Sequence, residues 1–174
     1  SSPVQIPGTT WSKINGGHSL GAIKTDGTLW VLGRNNVGQL GLNSEVRYSS
    51  PVQLGGGTDW AYASEWNSVM CAVKTDGTLW VMGTNQYGAL GQNSVVQYSS
   101  PVQIPGTTWS TVSSGSNPKA IKTDGTLWSW GYQGDGTMGN GTRQHISSPV
   151  QVPGTDWYRV AAQSSSVFAF TRTI

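Results

Sequence analysis

The sequence predicts an all-β protein: a β-propeller of four-stranded blades, with about three and a half to four blades in this chain and a ring expected to be incomplete. Three observations predict it. The string SSPVQ begins at Ser1, Ser49, Ser99 and Ser147, and the tryptophans that follow, Trp11, Trp60, Trp109 and Trp157, stand 49, 49 and 48 residues apart. The heptapeptide KTDGTLW occupies 24–30, 74–80 and 122–128. Nothing in the 174 residues sustains a 3.6-residue apolar period over the length a helix requires.

Within a unit each strand has its own signal. PVQI (Pro3–Ile6) and WSKI (Trp11–Ile14) flank Pro7-Gly8, a turn pair, and are labelled C and D. HSLGAIK (His18–Lys24) and TLWVLG (Thr28–Gly33), labelled A and B, are β-branched and aromatic runs joined by Thr25-Asp26-Gly27. The Asp-Gly pair is expected to supply both positive-φ positions of a tight hairpin. Units of roughly 50 residues follow, 1–48, 49–98, 99–146 and a shorter 147–174, within a single repeat domain.

Four-stranded units of this length favour radial blades, because each blade buries its faces against its neighbours and none is stable alone. One equivalent tryptophan per blade face is expected to fill the inter-blade core, where truncating an aromatic to alanine costs about 3–5 kcal/mol. Trp30, Trp80 and Trp128 are placed in equivalent blade cores, and Lys24, Lys74 and Lys122 are read as keeping a strand end soluble. The alternative for some of the nine tryptophans is an exposed array that stacks sugars or bases.

GAIKTDGTLWVLGRNNVGQLGLN (Gly21–Asn43) and its copies, preceded by SSPVQIPGTTWSKINGG, resemble the repeat of the regulator of chromosome condensation family, especially its prokaryotic and phage-type versions. Gly-Gly before strand A, the Asp-Gly turn, Trp-x-x-Gly closing strand B and the GQLG loop (Gly38–Gly41) recur in order, with GALG at 88–91 and GTMG at 136–139. The resemblance covers essentially the whole chain. It implies a propeller, usually of seven blades, that serves as a platform for protein partners rather than as an enzyme. The family's namesake promotes nucleotide exchange on a small GTPase and docks on chromatin; no residues here match the segments that do so, and these activities are not carried over.

The fourth unit departs from the pattern. SSPVQVPGTDWYRVAAQSSSVFAFTRTI holds strands C, D and A, without a B strand, an Asp-Gly turn or a GQLG loop. With blades built in the order A-B-C-D, a ring closed by this chain alone lacks a strand in its closing blade. Sheet edges and bare blade faces are normally covered, so completion by identical subunits or by another protein is expected, unless the chain is part of a longer one; it opens on Ser1, which fits processing or a longer parent.

Composition narrows the functional classes. A formal net charge of +2 with 10% charged residues, and lysines and arginines scattered along the chain, argues against nucleic acid as a partner. No apolar run reaches the length of a membrane span, so no membrane insertion is expected. Cys71, the single cysteine, has the flanks of a buried strand and reads as a small core residue. His18 and His145 occupy non-equivalent positions without metal-ligand spacing, and a lone loop histidine reads as a solvated or hydrogen-bonding residue rather than a ligand. Asp26, Asp76 and Asp124 belong to the turn, and Asp59 and Asp156 share one place before a repeat tryptophan. Glu45, Glu65 and Asp135 remain and form no recognisable acid pair. LGGGTD (Leu54–Asp59) lacks the Lys-Ser/Thr of a phosphate loop and stands where other units have a Pro-Gly turn. No catalytic residue, cofactor or metal site is expected.

The copies differ where recognition is free to diverge. Before strand A stand Gly17-His18-Ser19, Glu65-Trp66-Asn67, Ser116-Asn117-Pro118 and Ser164-Ser165-Ser166. After strand B stand Arg34-Asn35-Asn36-Val37, Thr84-Asn85-Gln86-Tyr87 and Tyr132-Gln133-Gly134-Asp135. A third variable stretch holds Glu45-Val46-Arg47, Val95-Val96-Gln97 and Arg143-Gln144-His145. Candidate partner-binding residues are His18, Glu65, Trp66, Asn67, Tyr87, Asn117, Tyr132 and Asp135. The expected function is a non-enzymatic protein-interaction or structural module. The first alternative is a lectin-like propeller in which Trp66, Tyr87 or Trp130 stacks on a glycan, and a small-GTPase regulator is the second. Abundant Ser, Thr, Asn and Gly favour an extracellular or virion surface over the cytoplasm.

Overall fold

The structure is a computed structural model that describes residues 2–3, 5–134, 136, 141, 143–163 and 166–171. Every regular element among them is a strand: β1 (Trp11–Gly16), β2 (Ser19–Lys24), β3 (Leu29–Gly33), β4 (Tyr48–Gln53), β5 (Trp60–Trp66), β6 (Val69–Lys74), β7 (Leu79–Gly83), β8 (Tyr98–Ile104), β9 (Trp109–Ser113), β10 (Lys119–Lys122), β11 (Leu127–Gly131), β12 (Ile146–Val152), β13 (Trp157–Gln163) and β14 (Ser166–Thr171). Three antiparallel sheets of four strands, β1–β4, β5–β8 and β9–β12, are followed by the pair β13–β14. The all-β propeller architecture holds.

The blade boundary falls elsewhere than expected. Each sheet runs D-A-B-C, starting at the repeat tryptophan and ending on the SSPVQ strand of the following unit, rather than A-B-C-D. Pro105-Gly106 and Pro153-Gly154 therefore connect one blade to the next and join no hairpin. The strand predicted over Pro3–Ile6 is absent at its described residues. The physical reason is that two apolar runs flanking a turn signal can pair with each other or part into neighbouring sheets, and only burial decides between them.

The D strands β1, β5, β9 and β13 contact one another in succession, so they lie innermost, and the A strands β2, β6 and β10 pack on the next blade's D strand. Ile23, Leu29, Val31, Leu40 and Leu54 of the first blade meet Trp60, Ala63, Met70, Ala72 and Met82 of the second. The second blade repeats the arrangement, setting Cys71, Val73, Leu79, Val81, Leu90 and Ile104 against Trp109, Val112, Ala120 and Trp130 of the third. Ile121, Leu127 and Val152 then receive Val160, Trp157 and Ala169. Cys71 is fully buried, as expected, and burial pushes its thiol pKa up.

The A–B hairpin differs from expectation in one detail. Gly27 has φ 79°, whereas Asp26 is not at positive φ. Gly27 N donates to Lys24 O at 3.0 Å and Lys24 N to Thr28 O at 3.0 Å, a turn closed by one left-handed glycine. Asp26 contributes through its side chain: Oδ1 accepts Thr28 N at 3.0 Å and Thr28 Oγ1 at 2.7 Å. Asp76 and Asp124 do the same with Thr78 and Thr126.

The heptapeptide tryptophans sit at the margin of the cores, where Trp80 and Trp128 pack against the buried clusters. Trp30, Trp80 and Trp128 are half-buried, and each Nε1 donates to the turn threonine at 2.8–2.9 Å. The lysines are not simply solvated strand ends. Lys24 Nζ lies 5.0 Å from the Trp11 ring centroid and 4.0 Å from that of Trp30, and Lys74 and Lys122 sit likewise between Trp60 and Trp80 and between Trp109 and Trp128. An indole face is electron-rich, so a desolvated ammonium there gains about 0.5–2 kcal/mol.

Candidate functional site

Strand polarity sorts the repeat into two ends. Gly16 pairs with Leu20, and Gly33 pairs with both Ser19 and Tyr48, so the D–A turn and both ends of the B–C loop share one end of a blade. The A–B turn and the C–D connection occupy the other. All the described variable stretches fall at the first end, and the near-invariant KTDG and PGTTW segments at the second.

At the variable end the B–C loops are held by residues that sequence reasoning counted among the variable ones. Asn35 is fully buried: its Nδ2 donates to Ser44 O and Val46 O, and its Oδ1 accepts Leu40 N at 2.9 Å. Asn85 repeats this with Ser94, Val96 and Leu90. The same amide two residues beyond the strand-B glycine in two copies was the available signal. Each loop also leans on the next blade. Asn43 N donates to Ser99 O at 2.8 Å, and a Cβ on Gly38 would lie 2.5 Å from Ser99 Cα, so only glycine allows that approach.

On this scaffold two predicted residues converge with one that was passed over. The Tyr87 and Tyr132 rings are 5.0 Å apart edge-to-face, and His145 lies 5.0 Å from each, stacked on Tyr132. Gln133 N donates to His145 Nδ1 at 3.0 Å, which leaves Nε2 to carry the ring proton when the imidazole is neutral. The tyrosines are half-buried and His145 is exposed. His145, expected to be a solvated or hydrogen-bonding loop residue, is both exposed and hydrogen-bonded, and it also caps an aromatic cluster bridging the second and third blades. Edge-to-face aromatic packing of this kind contributes about 0.5–1.5 kcal/mol beyond area burial and sets ring orientation.

The D–A turns hold a second group. Trp66 and Asn67 are exposed, as is His18. Glu65 and Asn117 are not rim groups open to a partner: they are 2% and 5% exposed. Glu65 accepts Gly17 N at 2.9 Å and Ser68 N at 3.3 Å, tying the first two blades together, and a strand position facing the neighbouring blade is the reason for its burial. Asn67 Nδ2 donates to Ser116 Oγ of the third blade. Asp135 lies outside the described residues. Trp130, one of the proposed sugar platforms, is fully buried with Nε1 donating to Ala89 O at 2.8 Å, so it offers no face to a ligand.

The comparisons with known proteins meet this geometry. The regulator of chromosome condensation (RCC1) repeat matches residues 26–64, 76–117 and 124–169. The chain belongs to the RCC1 repeat family. No curated protein sequence matches this RCC1-repeat chain. Among solved structures, yeast RCC1 (Prp20), determined with Kap60 bound, has 17% identity and a TM-score of 0.83 over 98% of this chain and 44% of its own. Human WBSCR16 has 20% identity and a TM-score of 0.79 over 92% of this chain and 45% of its own. Prp20p from Saccharomyces cerevisiae, described with its binding properties to Gsp1p and histones, has 16% identity and a TM-score of 0.76 over 87% and 41%. The RCC1-repeat chain thus spans less than half the length of these proteins, and the likeness at such identity is one of fold.

Proposed function

We propose that this chain is a non-enzymatic protein-interaction module that meets its partner with the variable end of its blades. The observation that carries the reading is the segregation of described loop variation to one end, where Tyr87, Tyr132 and His145 form a preorganised aromatic patch. Partly buried, rigid aromatics are the residues that anchor protein interfaces, because they lose little side-chain entropy on binding. Relatives of the fold that are described with protein partners support this choice of partner class. The test is a photo-crosslinking residue placed at Tyr87 or Tyr132 and, separately, at Thr25 or Thr155 of the opposite end. Crosslinks to one protein from the first pair alone are expected; crosslinks from the second pair alone overturn the reading.

A further blade, from the same polypeptide or another chain, is the second partner proposed. The face of β1–β3 carrying Trp11, Ile14, Leu20, Ala22 and Leu32 corresponds to the face that the preceding blade covers in the second and third blades. Here it lines an apolar hollow of about 210 Å³, and Ile14 is 63% exposed. Sedimentation of the 174-residue chain tests self-association through it: oligomers that Ile14→Asp dissociates support completion by identical subunits, and a monodisperse monomer overturns it.

A further inference from the structure

The tryptophans of the chain are almost all accounted for by contacts within the fold. Six form the three lysine sandwiches, Trp130 is buried against Ala89, and Trp157 Nε1 donates to Pro153 O at 3.3 Å. Trp66 is the exception: it is 38% exposed and has no ring or cation partner among the described residues.

The turn that carries it is nevertheless fixed. Asn67 and Ser68, which follow it, both take left-handed backbone conformations, with φ of 50° and 64°. Two successive non-glycine residues there cost strain, which persists only where surrounding structure enforces it. The enforcing contacts are the Asn67–Ser116 hydrogen bond at 2.6 Å and the Glu65 carboxylate, which accepts both Ser68 N and Gly17 N. The indole lies between two glycine backbones: a Cβ on Gly17 would meet its Cε3 at 3.5 Å, and one on Gly115 would meet its Cδ1 at 3.8 Å. Small neighbours on both sides leave the side chain 38% exposed.

The local charge indicates what the ring would accept. Glu65 Oε2 and Trp66 Cε3 both lie 3.5 Å from the point where a Gly17 Cβ would stand, so the carboxylate and the indole edge are gathered around the same glycine. The described ion pair of the chain joins Lys74 to Asp59, and no described cation pairs with Glu65. Lys119, the charged side chain of the neighbouring third-blade turn, is buried and donates to Asn117 O. An electron-rich ring near a buried carboxylate that no described cation pairs with attracts a cation, and a planar guanidinium stacks on an indole more fully than an ammonium does.

We propose that Trp66 is the docking platform for an arginine side chain of a protein partner, drawn to the indole by the Glu65 carboxylate. The inference rests on the reading of the variable end as a protein-binding surface and names the partner chemistry at one point of it.

The test follows the indole N–H resonances of the whole chain by NMR during titration with the peptide N-acetyl-Gly-Arg-Gly-amide, its citrulline counterpart and methyl glucoside. The arginine peptide should move the Trp66 resonance with an affinity about fivefold or more above the citrulline peptide, as loss of one cation–π contact implies. Added salt and Glu65→Gln should both weaken it, and Trp66→Leu should abolish it. The resonances of the lysine-clamped tryptophans should stay in place and report an intact fold in each variant. Equal response to arginine and citrulline, or response to the glucoside alone, overturns the proposal. A crosslinked partner that binds Trp66→Leu as well as the parent protein also overturns it, while leaving the protein-binding reading standing.

Discussion

Trp60 N donates to Gly27 O at 3.0 Å, so the first strand of the second blade starts on the hairpin turn of the first. Trp109 N to Gly77 O and Trp157 N to Gly125 O, each at 3.0 Å, repeat the joint. A Cβ on Gly27 would lie 2.1 Å from Thr58 O, and one on Gly77 or Gly125 would lie at the same distance from Thr107 O or Thr155 O. The glycine of KTDGTLW therefore serves the contact between blades as well as the turn within one.

Gly77→Ala should be among the most damaging single changes in the chain. It places a side chain at φ 78° and drives its Cβ into the Thr107 carbonyl. A loss of roughly 2–4 kcal/mol is expected, from left-handed strain of about 1–2 kcal/mol and the displaced joint. Urea denaturation should show it as a lowered midpoint. A midpoint unchanged from the parent protein would remove the glycine from this role.

The turn aspartates should make the fold acid-sensitive. Thr28 and Thr126 hydroxyls, more than their backbone N–H groups, hold the Asp26 and Asp124 carboxyls below the ordinary carboxylate value of 3.8, and for Asp76 the Thr78 backbone N–H comes first. With the folded pKa depressed, the contribution is complete above the ordinary value and disappears as pH falls through the lowered one. Asp26→Ala, Asp76→Ala and Asp124→Ala should each lower stability near neutral pH and flatten the loss below pH 3.8, measured by urea midpoints across the acid range.

Lys119 should act in the opposite pH range. It is 1% exposed, and burial pushes its pKa down from 10.5 to about 8. Between those values the unfolded chain holds the proton and the folded one does not, so stability rises as pH climbs from about 8 to 10.5. Lys119→Met should remove that rise and stabilise the protein at pH 7 by on the order of 2–3 kcal/mol. Equal pH profiles for the two proteins would show the ammonium to be well solvated.

Cys71 should report the opening of the interface between the second and third blades. A thiol that is fully buried, with its pKa raised by desolvation, reacts slowly. Alkylation by iodoacetamide in native buffer should follow the unfolding equilibrium, accelerating with urea in step with loss of tryptophan fluorescence. Rapid labelling of the native chain would contradict the packing of this core.

Sequence patterning carried the fold a long way, and local chemistry explains why. Short β-branched and aromatic runs, Asp-Gly turns and a repeat near 50 residues each reflect interactions within a few neighbours or within identical blades. The buried state of Glu65 and Trp130 was not legible, since neither its neighbours nor its repeat partners reveal which face of a strand meets the next blade. His145 was missed for a related reason: its partners, Tyr87 and Tyr132, lie 58 and 13 residues away in loops of two different blades.

The sequence by itself determined most of the strands, the place of the A–B turn, the repeat near 50 residues and the places where the repeats diverge. Tertiary structure alone decided that a blade runs D-A-B-C, that Lys24, Lys74 and Lys122 each lie between two indoles, and that the divergent loops share one end with a partly exposed tryptophan and a buried glutamate. The physical reason is range. Turn and strand preferences are fixed by backbone sterics within a handful of residues, whereas burial and charge environment depend on the neighbouring blade, some 50 residues away in the chain.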